Sequence, residues 1–150
     1  TKVYHYLELL RDVVGFDKLA AAVRNPLSGR NEAAYYGCML LRPGKVMAFD
    51  DVENPRIMED FLRALGADST LYQMRNECCG GYVALEDAAF AARKSRAVSD
   101  SAQAHGAEQI VTACPLCKYN LVKSDSPIPV VYFTELLAEA LGVKEDIHAE

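Results

Sequence analysis

A chain of 150 residues is long enough for one domain with a real core, and 51% apolar and 25% charged residues make it globular in composition. A formal net charge of −5 offers no basic face for nucleic acid, and no apolar run approaches a membrane span. Thr1-Lys2-Val3-Tyr4-His5 is polar and patterned rather than a secretory leader. The lack of an initiating Met reads as a fragment or a processed piece of a longer protein.

Val3–Val14 is predicted as a helix, with Val3, Leu7, Leu10 and Val14 at helical spacing and Gly15 as its stop. Phe16, Leu19, Ala20 and Val23 give a second, short helix, and Asn25–Arg30 is loop by composition. Residues 1–30 are expected to be a helical lead-in from a missing upstream domain, and 31–150 the domain proper. His5 receives no role.

Ala33–Gly37 reads as a buried strand running into Cys38, because a continuous apolar run suits a strand covered on both faces. Lys45–Asp51 is loop-like. Asn54 and Pro55 open a helix as N-cap and first turn; Ile57, Met58, Phe61, Leu62 and Leu65 form its apolar face, and Gly66 ends it. Thr70–Met74 is the second predicted strand. A long helix is expected from Gly80-Gly81 to about His105, with Leu85, Ala88, Ala89 and Ala92 as its packing stripe. Gln109–Ala113 is the third strand and Ile128–Phe133 the fourth. Pro115 starts a short helix between them, and Thr134 caps a last helix closed by Gly142. The polar tail beyond is expected to fray.

Strands alternating with helices imply crossovers and a parallel sheet, so the fold class is α/β, with about four parallel strands flanked by helices. That placement bears on all five cysteines. Cys38, the pair Cys78-Cys79 and Cys114 each follow the carboxyl end of a predicted strand, and Cys117 lies one helical turn further on. Those strand ends share the edge where open α/β sheets bind ligands. Thiols far apart in sequence are therefore expected to meet at one place.

Five thiols without a secretion signal suit a reducing compartment, the cytoplasm, where cysteines more often serve metal or redox chemistry than structural disulfides. Simple burial accounts for Cys38 alone, but poorly for the pair and the Cys-x-x-Cys. Gly80 and Gly81 let backbone N–H groups approach a sulfide or thiolate, and they equally suit a tight strand-to-helix turn. Helices starting beside the cysteines favour thiolates. Arg75 and Lys118 offer some offsetting charge, although long cations near a turn are usually solvated.

Three site types fit these residues. A Cys₄ zinc site leaves one cysteine spare, and adjacent cysteines are awkward ligands for one small ion. A dithiol couple at Cys114-Pro115-Leu116-Cys117 leaves three cysteines unexplained. An iron–sulfur cluster ordinarily takes four thiolates, so five imply a bystander or an unusual cluster shape. The residues favour a cluster and leave zinc open.

The pattern Cys38, Cys78-Cys79-Gly80 and Cys114-Pro115-Leu116-Cys117 resembles the cysteine-rich CCG domain, whose fold is Rossmann-like. Ala33-Ala34-Tyr35-Tyr36-Gly37-Cys38, Asp51-Val52-Glu53-Asn54-Pro55, Glu77-Cys78-Cys79-Gly80-Gly81, Ile110–Cys117 and Pro129–Leu137 resemble the carboxyl-terminal half of the B subunit of CoB–CoM heterodisulfide reductase. The resemblance covers nearly the whole chain, with the Cys79-to-Cys114 gap a residue shorter than the family pattern. It implies a noncubane [4Fe-4S] cluster ligated by Cys38, Cys78, Cys79, Cys114 and Cys117, beside Gly80 and Gly81. It also implies reductive cleavage of a disulfide, CoM-S-S-CoB or an analogue, between two such clusters. The implied partners are an N-terminal CCG domain of the same polypeptide and the iron–sulfur C subunit of the reductase. Only one motif is present, so the chain alone is expected to be inactive. CCG subunits of lactate, glycolate and fumarate-type systems are similar as well.

Overall fold

The computed structural model describes residues 1–143; the expected fraying of the tail falls largely on residues 144–150, outside the described residues. The elements alternate as the periodicity requires. They are α1 (Tyr6–Glu8, continued by a π-helical turn over Leu9–Val14), α2 (Phe16–Ala22), β1 (Asn31–Tyr35), α3 (Gly44–Met47), α4 (Ile57–Ala64) and β2 (Asp68–Ser69). A 3₁₀ turn (Gln73–Asn76) follows, then α5 (Ala88–Ala104), β3 (Gln109–Thr112), α6 (Pro115–Lys123), β4 (Val130–Tyr132) and α7 (Phe133–Leu141). Among the described residues no helix is long and apolar enough to cross a membrane.

All strand pairs are parallel, in the order β2-β1-β3-β4. Ala33 stands opposite Ile110 and Ala34 opposite Val111, while Val111 faces Val131 across the next pair. The chain leaves β1 toward one edge, then crosses back to build the other side. The winding thus reverses between β1 and β3, the position where such sheets open a crevice beyond their carboxyl ends.

Both faces of the sheet are covered, which explains the unbroken apolar run in β1. Alternate residues of a strand point to opposite faces. Ala34, Tyr36, Val111 and Ala113 pack with Leu7, Leu19, Phe61 and Leu136 of α1, α2, α4 and α7. Ala33, Tyr35 and Ile110 pack on the other side with Val98 and Ala102 of α5 and Leu121 of α6. Each large apolar side chain so buried contributes about 1.5–3 kcal/mol. Leu7, Leu10, Leu19 and Leu27 belong to the first of these cores, so the opening residues lie against the sheet.

Several boundaries differ from the sequence reading. The second strand is only Asp68–Ser69, and none of the predicted Thr70–Met74 is strand. Thr70 N–H still donates to Glu32 O at 2.9 Å, but Tyr72 then turns into the core and Gln73 begins a 3₁₀ turn. The long helix begins at Ala88 rather than at Gly81, where Asp87 accepts from Phe90 N–H at 2.8 Å. Its buried stripe is Ala91, Ser95, Val98, Ser99 and Ala102, and Leu85 is 99% exposed. Asp50, not Asn54, caps α4, accepting from Arg56 and Ile57 N–H at 2.7 Å each. The last helix starts at Phe133, one residue before the expected Thr134 cap, and Glu135 accepts from Tyr132 N–H. The loop-like Lys45–Asp51 contains most of the one-turn helix α3. His5 caps the first helix. Its Nδ1 accepts from Leu7 N–H at 3.1 Å, while Glu8 accepts from His5 N–H at 2.8 Å.

A five-thiol site at the strand ends

The reversal of the winding sets the site. Cys38 leaves β1 and Cys114 leaves β3, so the two straddle the crevice between neighbouring strands. The Cys78-Cys79 pair arrives from the β2 side through the 3₁₀ turn, and Cys117 from the first turns of α6. All five cysteines are free thiols; Cys79 and Cys117 are buried, and the others half-buried.

The sulfurs are linked to one another. Cys79 Sγ lies 3.8 Å from Cys117 Sγ. That is far beyond the roughly 2.05 Å of a disulfide. It equals the edge of a tetrahedron with metal–sulfur bonds of about 2.3 Å. Cys114 also acts electrostatically on Cys117, and Cys78 on Cys38. The donor set is sulfur throughout. Among the described residues no three Cys, His, Asp or Glu side chains surround a single-ion position.

Backbone contacts hold this arrangement. Tyr35 OH donates to Glu77 O at 2.7 Å and Tyr36 N–H to Arg75 O at 2.8 Å, so the end of β1 grips the segment before Cys78. Ser95 Oγ donates to Cys79 O at 2.8 Å from α5. Gly37, at φ +65°, is where β1 meets α6, and a Cβ there would sit 2.8 Å from Cys117 Sγ. Gly80, at φ +81°, donates its N–H to Cys78 Sγ at 3.3 Å, the close backbone approach to sulfur expected of a glycine there. A Cβ on Gly81 would lie 2.8 Å from Asn120 Nδ2 and 3.1 Å from Leu116 Cδ2.

The electrostatics divide the thiols. Hydrogen bonding from Cys117, with help from Asn120 and the Gly81 N–H, holds Cys79 down to about 6 against burial. Cys114 is likewise held to about 6 by Cys117 and by the N–H groups of Cys117 and Leu116. Cys114 is the N-cap of α6, with Pro115 in the first turn, so the expected helix-end effect operates there. It does not operate at Gly80-Gly81, because α5 starts seven residues after Gly81. Burial, with Cys78 and Cys79 nearby, raises Cys38 to about 11. Cys117 is raised by its two sulfur partners and by burial.

Arg75 is not solvated. Its guanidinium is buried, donating to Glu59 Oε1 at 2.7 Å, Pro55 O at 2.6 Å and Asn54 Oδ1 at 2.6 Å. Glu59 also accepts from Tyr36 OH. The network braces the segments before Cys38 and Cys78, and its cation is committed to Glu59 rather than to the sulfurs. Lys118 pairs with Glu135 at 2.7 Å in a half-exposed position. Sequence reasoning missed Gly37, Ser95 and Asn120. Asn120 had a readable signal, because it lies three residues after Cys117 on a helical face. A cavity of about 440 Å³ adjoins the site through Gly81, Ser95 and Asn120, walled by Tyr82, Leu116 and Tyr119.

A comparison with known protein families matches residues 33–122 to the cysteine-rich domain called CCG. The chain is 31% identical over 137 residues to the 8-methylmenaquinol:fumarate reductase membrane anchor subunit of Wolinella succinogenes, covering 85% of this chain and 48% of that one. It is 30% identical over 157 residues to the B subunit of the ferredoxin/F420H2-dependent CoB–CoM heterodisulfide reductase of Methanosarcina acetivorans, covering 97% and 52%. A protein of Archaeoglobus profundus described as like the heterodisulfide reductase B subunit is 28% identical over 156 residues, covering 94% and 52%. The chain spans about half the length of these relatives.

Proposed function

The chain belongs to the cysteine-rich CCG domain family, and from that premise we propose that it is an iron–sulfur redox domain of a protein like the heterodisulfide reductase B subunit. Cys38, Cys78, Cys79, Cys114 and Cys117 are proposed as ligands of one noncubane [4Fe-4S] cluster. The observation that carries this is the gathering of five unpaired thiols from separate chain segments beyond one sheet edge. A sulfur-only donor set of five exceeds the four ligands of a zinc site, which favours a multinuclear cluster over zinc.

When bound, the cluster supplies one-electron transfer and iron centres able to accept the sulfurs of a disulfide. The protein's own contribution is charge and enclosure. Hydrogen bonding lowers the Cys79 and Cys114 thiols to about 6, so the site gives up a proton readily on ligation near neutral pH. Tyr35, Ser95 and the Arg75–Glu59 pair fix the loops that carry them. The substrate is a disulfide, CoM-S-S-CoB or an analogue. Partners are an N-terminal CCG domain of the same polypeptide and an iron–sulfur protein like the reductase's C subunit, with residues 1–30 as the lead-in. Tyr82, Leu85, Leu116 and Tyr119, exposed around the site, give such partners an apolar surface. Free thiols suit the reducing cytoplasm. This domain alone is inactive as a disulfide reductase.

The identity to the Wolinella protein favours a second reading, an electron-transfer domain of a fumarate-type oxidoreductase. Anaerobic reconstitution tests the shared core of both. A brown protein with about four irons and matching acid-labile sulfide is expected; colourless protein with stoichiometric zinc overturns it. Reoxidation of the reduced, partner-bound protein by a disulfide, and not by fumarate-linked acceptors, then separates the two readings.

A further inference from the structure

Behind Cys79 stands a buried amide that the ligand set does not use. Asn120 is 7% exposed, and its Nδ2 lies 3.5 Å from Cys79 Sγ, a hydrogen-bonding distance for the large sulfur atom. Its place is made for it. Any side chain at Gly81 would enter the space of the Asn120 amide, with a Cβ only 2.8 Å from Nδ2. The backbone of Cys79 is meanwhile pinned from the other side by Ser95 Oγ, itself on a fully buried side chain. The donor is thus held by α6 and the sulfur by the Cys78-Cys79 loop, whose backbone α5 pins through Ser95.

We propose that Asn120 is a positioning residue that donates its amide N–H to the Cys79 sulfur and thereby sets the reduction potential of the site, with Gly81 keeping the space that this requires. The proposal rests on the iron–sulfur reading for its redox consequence. An N–H donated to a ligand sulfur withdraws charge from it, and a less electron-rich sulfur favours the reduced state of the metal centre. The second glycine of Cys-Cys-Gly-Gly is then explained by the amide rather than by a sulfide: it is small so that Asn120 fits.

Asn120→Leu removes the donor at similar volume, and Asn120→Asp replaces it by an isosteric acceptor. Both are read by anaerobic redox titration of the reconstituted protein, with iron content and circular dichroism as controls. The equilibrium constant for reduction is expected to fall at least tenfold in Asn120→Leu, about 59 mV for a one-electron couple, and further in Asn120→Asp. Gly81→Ala is expected to shift the potential the same way and to add nothing on the Asn120→Leu background. Unchanged potentials in both Asn120 variants overturn the proposal. A metal-free readout stands beside this one. In ¹⁵N-labelled apo-protein the Asn120 side-chain amide resonances should move on Cys79→Ala, and an amide indifferent to that change also overturns the proposal. Wild-type protein that takes up no iron defeats the cluster reading and leaves the amide test in force.

Discussion

Cys117 carries one hydrogen and has two sulfur neighbours, Cys79 and Cys114. It can donate to only one at a time, so the three sulfurs share a single strong donor and lose their first proton as a unit. Cys79 and Cys114 are each held to about 6, below the roughly 8.5 of a free thiol. Between those values the folded, metal-free protein binds fewer protons than the unfolded chain, so its stability rises with pH and is lost as pH falls through 6. Cys38, held up to about 11, acts with the opposite sign: stability falls as pH rises from 8.5 toward 11. The urea midpoint of reduced apo-protein should therefore peak near pH 8.5, and the rise above pH 7 should vanish in a Cys79→Ser/Cys114→Ser double variant, leaving below it only the rise that His5, lowered by burial, contributes. A midpoint that falls steadily from pH 6 contradicts the assignment. At this scale the thiols themselves were legible, because Cys-Cys-Gly-Gly and Cys-x-x-Cys are spacings with a chemical reason. Arg75 was not. Its burial depends on Glu59, sixteen residues away on α4, and nothing local in the sequence announces that pair.

Alanine obscures element boundaries. Ala84, Ala88, Ala89, Ala91 and Ala92 satisfy a helical stripe in more than one phase, so periodicity could not choose where α5 begins or which face it buries. Asp87 decides the start, through a cap bond to Phe90 N–H, and the buried face turns out to hold Ser95 and Ser99 at 0% exposure. Polar residues on the inner face of a helix weaken the very signal that sequence reading relies on. Ser95 is there for the Cys79 carbonyl, so the site itself distorts the pattern. The two boundaries predict different energetics. Leu85→Ser should change stability by no more than about 0.5 kcal/mol, as a fully exposed position does. Val98→Ala, in the core at 0% exposure, should cost about 2 kcal/mol. Equal losses in urea unfolding would restore the longer helix. The second strand failed for a related reason. Thr70–Met74 has β-type composition, yet it lies at the sheet edge, where Tyr72 gains more by entering the core than by continuing the ladder.

The sheet order was readable at the level that mattered, because convergence of the cysteines needs only strands of the right kind in parallel. What sequence could not give was the reversal between β1 and β3, since winding order depends on which crossover passes over which face. The division of the interior has a direct bearing on metal dependence. The core beneath α1, α2, α4 and α7 contains no cysteine, while Cys79 and Cys117 belong only to the smaller one under α5 and α6. Cys79→Ala should therefore lose the charge-transfer absorption of the reconstituted protein and keep cooperative unfolding with native far-UV dichroism. Collapse of the whole fold in that variant would make the metal a structural one. The opposite rim of the sheet carries a different freedom. Gly29, just before β1, and Gly106, between α5 and β3, have nothing within 4 Å of an added Cβ, and both sit at the strands' starting ends. A fluorophore-bearing peptide spliced in at Gly106 would ride on a rigid frame a full strand length from the redox chemistry, giving an optical reporter of partner assembly that leaves the sulfur crevice untouched.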